Sequence, residues 1–171
     1  MIKFAGDFQE LDRFAGKLAA AGAGGPLRTI GEQLAEEAIS LIRDGFQQSA
    51  DPYGKAWAPL VIRAGRPLQD SGGLKASWHR TEADAGGFTV ESGKQYAIYH
   101  QGGTGIYGPR KTRIKPVKAR ALRIPGVGFF RSVAGTPKRL MVPEAGRLPP
   151  RWRKQFVETA LEVLSEIFRE P

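Results

Sequence analysis

The sequence predicts an α+β fold, with helices towards both ends of the chain and a small antiparallel sheet with a long extended loop between them. Three observations carry this. Apolar residues recur at helical spacing before residue 48 and again after residue 150. Between these segments the pattern changes to short runs separated by glycine and proline. The 171 residues show no internal repeat and no low-complexity linker, so a single domain over 1–171 is expected. Within it, 1–48 is the helical N-terminal part, 49–145 the sheet and long loop, and 146–171 the C-terminal helix.

A first helix is read from Phe8, Leu11, Phe14 and Leu18, with Asp7 as N-cap and Gly22 to Gly25 ending the run. The second opens on Pro26, with a capping box expected from Thr29 to Glu32. Its apolar face is Leu27, Ile30, Leu34, Ala38, Leu41, Ile42 and Phe46. The last helix follows Pro149 and Pro150 and carries Trp152, Phe156, Ala160, Leu161, Leu164, Ile167 and Phe168. Strands are expected over Ser77 to Glu82, Gly87 to Ser92 and Ala119 to Ile124, with further short runs over Phe129 to Val133 and Leu140 to Val142. Asp84 to Gly87 reads as a hairpin connection, and Tyr96 to Gln101 as a helical turn or two. Gly102 to Lys118 is a long irregular stretch, and loops of that length in a compact domain are usually functional or ordered by a partner.

Composition narrows the chemistry. The absence of cysteine removes disulfides, thiolate metal sites and cysteine nucleophiles together, and fits a reducing cytoplasm. With 41% hydrophobic and 25% charged residues the chain reads as globular. No apolar run approaches membrane-spanning length, and Met1 to Asp7 lacks the basic start and apolar stretch of an export signal. The net charge of +9 favours polyanions or acidic protein surfaces.

Catalytic, cofactor and metal sites are not expected. Gly103-Thr104-Gly105-Ile106-Tyr107-Gly108 matches GxGxxG, but no strand leads into it and no helix follows it to hold a pyrophosphate. His79 and His100, the two histidines, lack the spacing and the carboxylate of a helical zinc site. Asp70, Glu82, Asp84 and Glu91 show no sign of convergence, so a hydrolase built on Glu82, Asp84 or His100 is the least favoured reading. The specific signal is basic. Arg110, Lys111, Arg113, Lys115, Lys118, Arg120 and Arg123 occur without an acidic residue among them, interleaved with Ile114, Val117, Leu122 and Ile124. Strand alternation would turn Leu122 and Ile124 inward and Arg123 outward. Such an arm could dock on an acidic neighbour or neutralise phosphates, whereas its few aromatics speak against stacking on single-stranded bases. Glu32, Glu36 and Glu37 on the second helix offer an acidic face as counterpart.

The order of motifs in the middle of the chain resembles the phage virion morphogenesis family, the tail completion proteins of tailed phages. The motifs are Asp51-Pro52-Tyr53-Gly54-Lys55-Ala56-Trp57-Ala58-Pro59-Leu60, then Pro67-Leu68-Gln69-Asp70-Ser71-Gly72-Gly73-Leu74-Lys75-Ala76-Ser77, then Tyr96-Ala97-Ile98-Tyr99-His100-Gln101-Gly102-Gly103. Serine at 71, the glycine before Leu74 and tyrosine at 99 depart from the family pattern, and Lys138 to Pro143 matches its last element only approximately. On this resemblance Trp57, Asp70, Leu74, Tyr96, His100 and Gln101 are structural motif residues, with Asp70, Gly72 and Gly73 shaping a turn and cap. It implies a non-enzymatic virion protein at the head-tail junction, a tail completion, terminator or stopper ring assembled in the host cytoplasm. The implied partners are further copies of the chain in a homohexamer, neighbouring neck, connector or tail tube proteins and DNA in the channel, with no membrane. A DNA-binding module that uses the basic arm during packaging is the alternative. The arm itself is expected to gain its order from its neighbours.

Overall fold

The structure is a computed structural model and describes residues 25–62, 64–84 and 86–169. The helix expected from Phe8 to Leu18 lies outside the described residues. The elements run α1 (Pro26–Gln48), α2 (Gly73–Ala76), β1 (Trp78–Asp84), β2 (Gly87–Ser92), α3 (Ala97–Gly102), a 3-10 turn (Gly105–Tyr107), β3 (Leu122–Ile124), β4 (Gly128–Phe130) and α4 (Pro150–Arg169). Helices with two two-stranded sheets, β1-β2 and β3-β4, make this an α+β fold. Among the described residues no helix is long and apolar enough to cross a membrane.

The chain divides into two compact units, one from residues up to Ala38, Arg80–Val90 and from Lys154 onward, the other from Ile39–His79 and Glu91–Arg153. Within the first, α1 begins at Pro26, where a missing N–H costs nothing. The capping box does not form. Thr29 already lies inside the first turn, its N–H donating to the Gly25 carbonyl at 3.2 Å, and Glu32 pairs with Arg28 one turn away instead. The β1-β2 hairpin closes through Asp84, whose Oδ1 accepts the N–H of Gly86 at 2.7 Å and of Gly87 at 3.1 Å. Asp84 is thus a turn residue whose carboxylate holds two backbone N–H groups. Gly31 of α1 lies against this turn, and a Cβ there would stand 2.8 Å from the Asp84 carbonyl oxygen. Phe88 and Phe156 meet edge to face at 5.9 Å. On α4, Val163 is buried while Leu161 is exposed, so Val163 rather than Leu161 belongs to the apolar stripe.

The second unit is centred on the apolar end of α1. Ile39, Leu41, Ile42 and Phe46 are buried there with Trp57, Leu68, Leu74, Trp78, Ala97, Met141 and Trp152. Asp44 of α1 pairs with Arg151 at 2.6 Å. In the second hairpin, Leu122 pairs with Phe130, Arg123 with Phe129 and Ile124 with Gly128. Leu122 and Ile124 are half-buried and Arg123 is exposed, as alternation requires. The strand is shorter than Ala119 to Ile124 because pairing with β4 extends over three residues only. Leu140 to Val142 forms no strand: the chain bends at Met141 and Val142, and its polar groups meet side chains instead of a neighbouring backbone.

Gly31→Ala is expected to lower stability by about 1–3 kcal/mol, because the methyl group meets backbone that cannot rotate away. Gly25→Ala, with open space around it, serves as the control. Urea midpoints of the two variants check this, and equal midpoints would contradict the close approach.

Candidate functional site

Side chains of the first and third motifs, Tyr53, Trp57 and Gln101, meet one stretch of backbone, Lys138 to Glu144. Asp51 opens the first motif by accepting the N–H groups of Tyr53 and Lys55, both at 2.9 Å, on its Oδ1. This Asx turn lets the chain double back, so that the Trp57 N–H reaches the Ser49 carbonyl at 2.8 Å. Trp57 then packs edge on against Phe46 at 5.4 Å and donates its indole N–H to the Leu140 carbonyl at 2.9 Å. Tyr53 donates to the Arg147 carbonyl at 2.7 Å and accepts the Glu144 N–H at 3.0 Å.

Gln101, at the end of α3, pairs with the same segment through its amide. Its Oε1 accepts the N–H of Met141 at 2.7 Å and of Val142 at 3.3 Å, while its Nε2 donates to the Val142 carbonyl at 2.8 Å. One side chain therefore stands in for a strand neighbour. The adjacent His100 carbonyl accepts the Arg139 N–H at 2.8 Å. Arg139 is 4% exposed, and its Nε and Nη2 donate to the carbonyls of Ala58 and Pro59 at 2.9 and 3.1 Å. Lys138 pairs with Glu144, and this contact holds the Glu144 carboxyl below its usual range.

The other motif residues have distinct places. Leu74 is buried. Asp70 is exposed; Gly72, in the left-handed region at φ 76°, precedes α2, and the N–H of Gly73 donates to Ser71 Oγ at 3.4 Å. Tyr96 lies edge on to the His100 ring at 6.1 Å. The Nδ1 of His100 is buried without a partner, and desolvation, followed by the charge of Arg139, lowers its pKa below 6.5.

The long loop is ordered by its own chain. Thr104 and Thr136 exchange hydrogen bonds, the Thr104 N–H reaching the Thr136 carbonyl at 2.9 Å and the Thr104 hydroxyl accepting the Thr136 N–H at 2.8 Å. Ile114 and Val133 form an antiparallel bridge, and Arg113 donates to Ser132 Oγ at 3.0 Å. At the crossing, a Cβ on Gly105 (φ 62°) would stand 1.9 Å from the Ala134 carbonyl oxygen, and one on Gly135 (φ 103°) 2.3 Å from that of Thr104. The GxGxxG match is accounted for by this contact of backbone on backbone. It also corrects the expectation that the arm takes its order from neighbours alone.

The side chains of Arg110, Lys111, Arg113, Lys115, Lys118, Arg120 and Arg123 are all exposed. None of the seven forms an ion pair among the described residues. Beside them Val117 is 94% and Phe129 73% exposed. No group of metal-ligating side chains occurs among the described residues.

The sequence model of the phage virion morphogenesis family matches residues 6–137. The chain belongs to this family. It accordingly serves the morphogenesis of a phage virion. No curated protein and no solved structure matches it. Within the phage virion morphogenesis match lie Trp57, Tyr96, His100, Gln101 and the whole basic arm, whereas the segment they hold, from Lys138 on, lies beyond it. Sequence reasoning missed Arg139, Tyr53 and Gly135. The signal available for Arg139 was its place directly before the apolar run Leu140-Met141-Val142.

Gln101→Ala leaves three partly buried backbone groups unpaired and is expected to cost at least about 2 kcal/mol in urea unfolding. His100 binds its proton less tightly in the folded chain, so its contribution is complete above about pH 6.5 and is lost as pH falls through the lowered pKa. His100→Gln should flatten the decline of the urea midpoint between about pH 7 and pH 5. An unchanged slope would show that His100 does not carry it.

Proposed function

We propose that the protein is a non-enzymatic subunit of a ring at the phage head-tail junction, a tail completion, terminator or stopper component. The observation that carries this reading is the outer face of the β3-β4 hairpin. Arg123 stands opposite the exposed Phe129 there, Val127 is exposed at the tip, and unpaired basic residues flank them. Exposed aromatic and aliphatic side chains beside arginine match the composition of protein interfaces, and phosphate binding alone would not need Phe129. A closed ring requires two different complementary surfaces on each subunit. The basic hairpin and arm supply one. The α1 face with Glu36 and Glu37 is the candidate for the other, Glu32 being engaged by Arg28. Copies of this chain, in a homohexamer, and adjoining neck, connector or tail tube proteins are the proposed partners. The virion is the proposed location.

A phage lacking this protein, supplied with Arg123→Glu/Phe129→Ser in trans, should yield heads and tails that fail to join or tails of abnormal end structure by electron microscopy. The purified variant should keep the circular dichroism spectrum of the parent, since both side chains are exposed. Normal particles with the variant, or absence of the chain from purified virions, would overturn the proposal. Duplex binding that weakens steeply with salt and is lost on neutralising Arg113, Lys115 and Arg120 would favour the packaging reading instead.

A further inference from the structure

A cavity of about 430 Å³ opens within the second unit, between the α2 turn, α3 and the segment held by Gln101. Leu60, Leu68 and Leu74 form an apolar wall, and Tyr96, His100 and Arg139 a polar one. Arg139 is the unusual member. A buried guanidinium is costly unless an opposite charge meets it, yet no carboxylate pairs with it among the described residues. Its hydrogen bonds to Ala58 and Pro59 use Nε and Nη2, which leaves Nη1 as a donor for whatever enters the cavity. The buried Nδ1 of His100 also has no partner. Asp70, at the exposed edge of the cavity, is engaged in a contact of its own.

An uncompensated cation at the base of a leucine-lined cavity calls for an anionic group on an aliphatic stem. We propose that this cavity receives a carboxylate side chain of glutamate type from a neighbouring virion protein, its oxygens on Arg139 Nη1 beside the His100 ring and its stem against Leu60, Leu68 and Leu74. This rests on the reading of the chain as an assembled subunit. It adds a second contact, in which the partner inserts a side chain into this subunit, whereas the basic hairpin projects from it. The bound negative charge then lies beside His100 and offsets the field of Arg139. Occupancy therefore raises the proton affinity of His100 towards that of an ordinary histidine.

Titration of the isolated full chain with sodium butyrate, n-butylamine hydrochloride or inorganic phosphate at matched ionic strength, followed by NMR, tests this. Butyrate should shift the resonances of His100 and Arg139 and move the His100 titration upward, and butylamine should do neither. Arg139→Lys should weaken the butyrate response about tenfold, because the planar fork is lost while the charge stays. Should that variant fail to fold, Leu60→Glu replaces it. Its own carboxylate competes for Arg139, so the butyrate response should disappear. Equal responses to butyrate and butylamine, no response at about 100 mM, or a stronger response to phosphate would each overturn the carboxylate assignment. None of these readouts depends on ring formation, so this proposal and the ring proposal fail separately.

Discussion

The amide of Gln101 binds a stretch of backbone that has no strand beside it. Met141 and Val142 direct two N–H groups and a carbonyl towards this one side chain. The neighbouring positions are secured by Trp57 on the Leu140 carbonyl, by the His100 carbonyl on the Arg139 N–H, and by Tyr53 on the Glu144 N–H. Without these partners an irregular segment carrying the buried Met141 and Arg139 would leave polar groups unsatisfied in the core, each costing about 1–3 kcal/mol. Three separate stretches, 51–59, 96–101 and 138–144, are thus made one unit by side chains that replace backbone pairing. The motif residues Trp57 and Gln101 are explained as the partners of that segment.

The same principle extends to the arm. Backbone bonds from Thr104 and Ile114 to Thr136 and Val133, made possible by the glycines at 105 and 135, anchor the loop and leave its cationic side chains in solvent. A fixed base with exposed charges suits docking better than a fully mobile chain, since less conformational entropy is lost on association. The β3-β4 hairpin continues this surface with Phe129 and Arg123.

What was legible in the sequence followed from periodicity and local turn chemistry. The 3.6-residue spacing located α1 and α4, and the apolar pattern with glycine placed the β1-β2 hairpin, because these elements satisfy their backbone groups locally. Gln101 and Trp57 were visible as motif residues, but their targets were not. A hydrogen bond from Trp57 to Leu140 spans 83 positions, and nothing in the local pattern of either residue records it. Leu140 to Val142 read as a strand for the same reason. Only tertiary contact decides whether a backbone or an amide side chain completes its bonds. The Thr29-Glu32 box failed because Pro26 starts the helix one turn's length earlier, and the Leu161 reading failed because Val163 takes the inward position on α4. Arg139 was hidden by its charge, which normally marks a solvated residue.

Amide hydrogen exchange reports most directly on whether the Gln101 amide holds the 138–144 segment in the core. The N–H groups of Arg139, Met141 and Val142 should exchange as slowly as those of Ile42 and Phe46 in α1, through the same global opening. Exchange of these three at the rate of an unstructured chain, while α1 remains protected, would contradict the account.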